Sequence, residues 1–199
     1  FGIKVADAVL VRQNEEVNSS EIIAKVGLPC FVKPNDGGSS FGITKVQSEN
    51  ELEKAIKLAL EHGTQAIIEC FMEGREVTNG IYKNKEGIIS LPITEIVTTN
   101  DFFDFDAKYK GESEEITPAD LTDEIAEIVK AVTREIYEIL DMKGIARADY
   151  ILQNGVPYLI EINAVPGLSK ESLIPQMAEH QGVSLKQLFN EIIEVATTK

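Results

Sequence analysis

Between Thr122 and Gly144, Ile125, Ile128, Val129, Val132, Ile136 and Leu140 recur at the three- and four-residue spacing of a helix with one buried face. Thr122 suits its N-cap, since a threonine hydroxyl accepts from an amide of the first turn, and Gly144 marks its close. Ser48 and Glu51 form a reciprocal capping pair for a helix that runs to about His62 and stops at Gly63. Ser184 and Gln187 repeat that arrangement ahead of Leu188, Ile192 and Val195. A short helix over Glu21 to Val26 ends before Gly27, and Pro175 suits the first turn of another that ends before Gly182.

β-rich runs bounded by Gly, Pro or Asn predict strands at 30–33, 43–46, 66–69 and 76–82, and later at 145–152 and 158–163. Strands and helices do not alternate regularly. That favours an α+β fold with antiparallel sheets over a doubly wound parallel sheet.

Charge changes the picture next. Among 199 residues, 33 Asp and Glu oppose 19 Lys and Arg, a formal charge of −14. With 43% apolar residues the chain can bury a core, and the acidity argues against coating nucleic acid or an anionic membrane. Residues 101–127 carry ten acids against Lys108 and Lys110, and read as a solvated acidic loop. No apolar run approaches membrane-spanning length and no basic-then-apolar leader opens these residues, so a cytoplasmic setting is expected. Cys30 and Cys70 lie far apart in sequence and signal neither a zinc site nor a disulfide framework; two reduced, buried thiols are expected. His62 and His180 fall near helix ends without partners at metal-ligand spacing.

Three places carry candidate chemistry. In Val32-Lys33-Pro34-Asn35-Asp36-Gly37-Gly38-Ser39-Ser40, the glycines free backbone amides to cradle an anion, while Lys33, Ser39 and Ser40 add a charge and hydroxyls. The loop joins two strands, so it is neither a Walker loop nor a dinucleotide fingerprint. Around Glu69, Cys70, Met72, Gly74 and Glu76 a strand ends and another begins. Such a break can hydrogen-bond a purine edge and a ribose, or can be a hairpin with charged rims. Third, Arg147 and Asp149 share one face of a strand, and Glu161 and Asn163 share one face of the next. Asp, Glu and Asn are hard oxygen donors suited to Mg²⁺. A salt bridge from Arg147 alone is the less favoured reading, because three acidic or amide groups exceed one arginine.

Register decides whether the third set shares a site. A two-residue Asn154-Gly155 turn sets Asp149 opposite Ile160 and separates the carboxylates. A three- or five-residue loop centred on Gly155, with Pro157 inside the longer form, pairs Asp149 with Glu161 and Arg147 with Asn163. The odd-length loop is expected.

Val32-Lys33-Pro34 with Gly38-Ser39-Ser40-Phe41-Gly42, Asp106-Ala107-Lys108-Tyr109, Gly144 to Asp149, and Glu161-Ile162-Asn163-Ala164-Val165-Pro166-Gly167 together resemble D-alanine–D-alanine ligases of the ATP-grasp superfamily, in family order and spacing. The resemblance implies two α+β lobes whose antiparallel sheets grip ATP, here spanning residues 1–85 and 86–199, with a closing loop over 101–115. It assigns Lys33, Ser39, Ser40 and Lys108 to the phosphates, and Glu69, the backbone of Cys70 and Met72, and Glu76 to adenine and ribose. Tyr109 joins the closing loop. Asp149, Glu161 and Asn163 would hold Mg²⁺, or Mn²⁺ in its place. Arg147 and the backbone of Gly167 would stabilise a tetrahedral intermediate, and Ser172 and Leu173 would meet the second substrate's carboxylate.

The implied activity joins two D-alanines through an acyl phosphate, for peptidoglycan precursors, in a homodimeric parent enzyme. Ala164 stands where the family usually carries Thr, and Phe103 and Phe105 replace tyrosines. An N-terminal domain found in the family is missing from these 199 residues, so the chain alone is expected to be inactive. Two rivals remain: another ATP-grasp carboxylate–amine ligase, and a non-catalytic nucleotide-binding module.

Overall fold

The computed structural model describes residues 1–36, 41–98 and 113–197. The chain divides into two compact units: residues 6–72, and a second built from 1–5, 73–98 and 113–197. The passage between them falls at Met72–Glu73, not near residue 85. The reason is pairing: β5 (Arg75–Asn84) forms a hairpin with β6 (Gly87–Thr98), and both are strands of the second unit's sheet. Among the described residues no helix is long and apolar enough to cross a membrane.

The first unit is a four-stranded antiparallel sheet in the order β1 (Ala8–Arg12), β4 (Gln65–Cys70), β2 (Cys30–Pro34), β3 (Thr44–Val46). Helices α1 (Ser19–Val26) and α2 (Glu49–Glu61) pack on the face that buries Cys30, Val32, Ala66 and Ile68. Asn18 caps α1 through the Glu21 amide, and the Ser48–Glu51 capping box forms as predicted. β1 carries none of the turn chemistry that marks a strand and was not expected. Cys30 is buried, whereas Cys70 is half-exposed.

The second unit is a five-stranded antiparallel sheet, β7 (Ser113–Ile116)–β6–β5–β8 (Ile145–Gln153)–β9 (Val156–Asn163). Helix α3 (Asp123–Ile139), capped by Thr122, covers one face over Val77, Ala148, Tyr150 and Leu152. It ends five residues before Gly144. Helices α4 (Leu173–His180) and α5 (Leu185–Thr197) cover the end of the other face that bears Gly80, Tyr82 and Leu91. Ser184 caps α5 through the Gln187 amide, but the Gln187 side chain turns forward to Glu191 instead of closing the reciprocal cap. The acidic segment is therefore no single loop: its described part contains β7 and the start of α3.

Two irregularities set the register of this sheet. In β6, Leu91 and Pro92 lie opposite the one residue Gly80, a bulge that accommodates a proline unable to donate. Asn79 stitches that bulge, donating to the Leu91 carbonyl at 2.7 Å and accepting from Ser90 Oγ at 2.8 Å. In the β8–β9 hairpin the odd-length loop does not form. Asn154 and Gly155, both at positive φ (52° and 79°), make a two-residue turn, with Gln153 opposite Val156. Asp149 nevertheless faces Glu161 and Arg147 faces Asn163, because Ile160 is extra in β9 and takes no partner. Pro157 is inside the strand, opposite Leu152. Its ring nitrogen faces the outer edge, where the neighbouring outward amide, Leu159 N–H, is met by the Lys4 carbonyl at 2.8 Å. Lys4 also lies over the Tyr158 ring, and Val5 makes a parallel bridge to Leu159.

Gly80 admits no side chain: a Cβ there would stand 2.6 Å from Ile174 Cδ1 and 2.9 Å from Leu91 Cδ1. Gly80→Ala should cost about 1–3 kcal/mol of stability by urea denaturation, and Ile174→Val should recover part of it, since it removes the nearest methyl. Burial, aided by the Glu191 carboxylate, pushes the Tyr82 pKa up to about 12. Between pH about 10, where an unfolded tyrosine ionises, and about 12, the unfolded chain binds fewer protons than the folded one, so stability should fall. Tyr82→Phe should flatten that alkaline decline in denaturation midpoints.

Candidate functional site

Alternation along β2 and β4 turns Phe31, Lys33, Ile67 and Glu69 away from the helices of the first unit. Lys33 Nζ pairs with Glu69 Oε2 at 2.7 Å on this half-exposed face. Phe31 and Phe71 lie with ring centroids 6.0 Å apart, and Lys45 Nζ stands 5.1 Å over the Phe71 ring. Both side chains of the Lys33–Glu69 pair keep some contact with solvent, 21% and 19% exposed. β4 and β5 belong to different sheets, so the break around Gly74 is not a hairpin. The Cys70 amide donates to the Asp7 carbonyl at 2.9 Å, which commits it to the sheet. Ser39, Ser40, Lys108 and Tyr109 lie outside the described residues.

In the second unit, the face not covered by α3 gathers Arg147, Asp149, Glu161 and Asn163, with Glu76 and Thr78 beside them on β5. The less favoured salt bridge is present: Arg147 Nε and Nη2 grip Asp149 Oδ1 and Oδ2 at 2.8 and 2.7 Å. Both side chains are largely buried, 15% and 12% exposed. Thr78, directly opposite Asp149, adds a 2.5 Å hydrogen bond from its hydroxyl to Oδ1. Burial opposes the Arg147 charge, yet Asp149, Glu161 and Glu76 outweigh it and hold the guanidinium pKa above its ordinary value.

The arrangement keeps acceptors and donors with which to bind more. A carboxylate offers about four acceptor positions, and Asp149 has filled three, leaving one on Oδ2. Arg147 keeps three of its five N–H donors beyond that pair. Glu161 is exposed, and Asn163 Oδ1 accepts the Val165 amide at 3.2 Å while keeping a second lone pair. Among the described residues no three His, Cys, Asp or Glu side chains cluster as a metal cage. The donor set is hard oxygen from Asp149, Glu161 and Asn163, which suits a Mg²⁺ that shares its shell with phosphates and water.

Gly167 and Ser172 are neighbours: a Cβ at 167 would stand 2.8 Å from Ser172 Oγ. Ser172 precedes α4, and its hydroxyl shares a hydrogen bond with Ser169 Oγ at 2.8 Å instead of capping the helix. Leu173 packs into the apolar cluster with Ile174 and Leu188. Thr78 is the residue that sequence reasoning missed. Its signal is its place two residues after Glu76, on the same strand face.

Thr78→Val should leave Asp149 Oδ1 short of a donor and lower stability by about 1–3 kcal/mol, while Thr78→Ser should lose much less. Arg147→Ala strands a largely buried carboxylate and should cost more, roughly 3–5 kcal/mol in the same urea titrations.

The family model described as "D-ala D-ala ligase C-terminus" matches residues 1–194. The D-alanine–D-alanine ligase of Flavobacterium johnsoniae is 50% identical over 98% of this chain and 61% of its own length. That of Phocaeicola vulgatus is 47% identical over 98% and 60%. The crystal structure of the Bacillus anthracis D-alanine–D-alanine ligase complexed with ATP superposes with a TM-score of 0.81 at 30% identity, over 97% of this chain and 60% of that one. The VanG D-Ala:D-Ser ligase of Enterococcus faecalis gives 0.85 at 34%, over 97% and 57%. The chain thus spans about 60% of the length of such relatives. It belongs to the D-ala D-ala ligase C-terminus family, whose ATP-grasp fold its two antiparallel α+β units carry.

Proposed function

We propose that this chain forms the ATP-binding and bond-forming part of a cytoplasmic, homodimeric D-alanine–D-alanine ligase that makes D-alanyl-D-alanine for peptidoglycan. The observation that carries the reading is the second unit's sheet face. A guanidinium and three side chains with oxygen donors sit there in register, within a chain similar over 98% of its length to proteins named as that ligase. The B. anthracis neighbour complexed with ATP supports the nucleotide.

In this reading the terminal phosphoryl group of ATP passes to the carboxylate of one D-alanine, giving an acyl phosphate and ADP. The amine of a second D-alanine attacks the acyl carbon, and the tetrahedral intermediate expels phosphate. Lys33 exchanges its pair with Glu69 for phosphate oxygens, with Ser39, Ser40 and Lys108 as further donors. Glu69, the backbone at Cys70 and Met72, and Glu76 serve adenine and ribose; since the Cys70 amide is engaged by Asp7, Cys70 would act through its carbonyl. Asp149, Glu161 and Asn163 would hold Mg²⁺, which when bound offsets phosphate charge.

Arg147, oriented by its two bonds to Asp149, turns its remaining N–H donors to the oxyanion, with the Gly167 amide as a second donor. Tyr109 helps close the site over the intermediate. At Ser172 and Leu173, the start of α4 lacks a side-chain cap, so its amides and dipole suit the second substrate's carboxylate.

The test uses a protein of the relatives' full length that contains this chain. ATP-dependent formation of D-alanyl-D-alanine with stoichiometric phosphate release is expected. Arg147→Ala should lower turnover by ~10²–10³ with ATP binding retained in calorimetry. Unchanged turnover would refute the arginine's role. Phosphate release with a different acceptor and none with D-alanine would favour another carboxylate–amine ligase, and ATP binding without any turnover would favour a nucleotide-binding module.

A further inference from the structure

The chain's two cysteines meet in the fold. Cys30 on β2 and Cys70 on β4 stand directly opposite one another in an antiparallel ladder. The type of pair follows from the bonds around them. Phe71 donates to the Pro29 carbonyl and Asn35 to the Gln65 carbonyl, so hydrogen-bonded pairs fall at odd positions of β2. Alternation makes Cys30 and Cys70 a non-hydrogen-bonded pair, in which Cα atoms lie about 4.5 Å apart and side chains approach most closely.

The Cys70 amide accordingly points away from β2, to Asp7. Both side chains face the same core: Cys30 is buried within it, beside Val32, Val46 and Ile68, and Cys70 packs against it from a half-exposed position. A disulfide requires a Cα separation of roughly 4.4–6.8 Å, and this kind of pair falls inside that range.

We propose that Cys30 and Cys70 form a cross-strand dithiol that closes to an intramolecular disulfide on exposure to a low-molecular-weight disulfide. Cys70, the accessible thiol, gives its proton to solvent. Its thiolate attacks one sulfur of the oxidant, forming a mixed disulfide and expelling one thiolate. Cys30 then loses its proton, attacks Cys70 Sγ and expels the second thiolate. Two protein thiols are oxidised by two electrons, and the small disulfide is reduced to two thiols. Burial raises the Cys30 pKa and so lowers the fraction of its attacking thiolate at neutral pH. The bond ties β2 to β4 behind Lys33 and Glu69, which occupy the opposite face of the same strands.

The chain is equilibrated with glutathione disulfide and glutathione at stepped ratios, acid-quenched, alkylated with N-ethylmaleimide, and read by intact mass and peptide mapping. Both thiols should disappear together, with the mass of two hydrogens lost and one peptide pair joined through Cys30 and Cys70. The equilibrium constant should exceed that of the urea-unfolded chain by at least about ten-fold, since the fold holds the partners together. Cys30→Ser should trap Cys70 as a stable mixed disulfide.

Wild-type chain that accumulates glutathione on Cys70 while Cys30 stays alkylatable would overturn the proposal. So would dimers joined through Cys70, equal constants in buffer and urea, or thiols that survive the most oxidising ratio.

Discussion

One unpaired residue, Ile160, determines what the second unit's sheet presents. Before it, odd positions of β9 face α3: Pro157 is buried opposite Leu152 and Leu159 packs beside Tyr150. After it, the parity reverses, so Ile162 joins that core while Glu161 and Asn163 turn to the other face. A regular ladder from the same turn would drive a carboxylate and an amide into the helix-covered core, or displace Pro157 and Leu159 from it. Neither is tolerable, because an unpaired buried charge costs far more than one lost ladder position. The bulge thus satisfies the apolar and the charged requirements in a single strand.

What gathers on that face is poor material for stability. A largely buried ion pair recovers little beyond the cost of taking both charges from water, and apolar residues of similar size often do as well or better. The Arg147–Asp149 pair is nevertheless held at three points by the guanidinium fork and Thr78, and flanked by further carboxylates. An arrangement with little stabilising return and high geometric definition is typical of groups kept for orienting something else. The two bonds spent on Asp149 fix the plane of the guanidinium, and so the direction of the donors that remain.

Much of this was legible in the residues. Capping at Ser48 and Thr122, the α+β class, and the shared faces of Arg147 with Asp149 and Glu161 with Asn163 follow from spacing alone. What escaped were elements whose residues do not alternate in the expected way. β7, Ser-Glu-Glu-Ile, is an edge strand whose acids read as loop. β6 contains Pro92, which speaks against a strand until Gly80 and the bulge opposite make room for it. The Asn154-Gly155 pair correctly signals its own tight turn. Five residues on, the pairing shifts for reasons of packing against α3, which no turn residue encodes. The juxtaposition of Cys30 with Cys70 was hidden in the same way, since it depends on the register of strands separated by β3 and α2.

The segment ahead of β1 has its own consequence. β9 is an outer strand, and an outer strand's free amides and carbonyls are a template on which another extended chain can add. Lys4 and Val5 occupy part of that template, and Pro157 blanks another part by offering no donor. Lys4 and Val5 therefore shield part of the outer edge of the hairpin that carries Asp149 and Glu161. Loss of those two contacts would expose the stretch of backbone most ready to recruit a neighbouring chain into an aggregate.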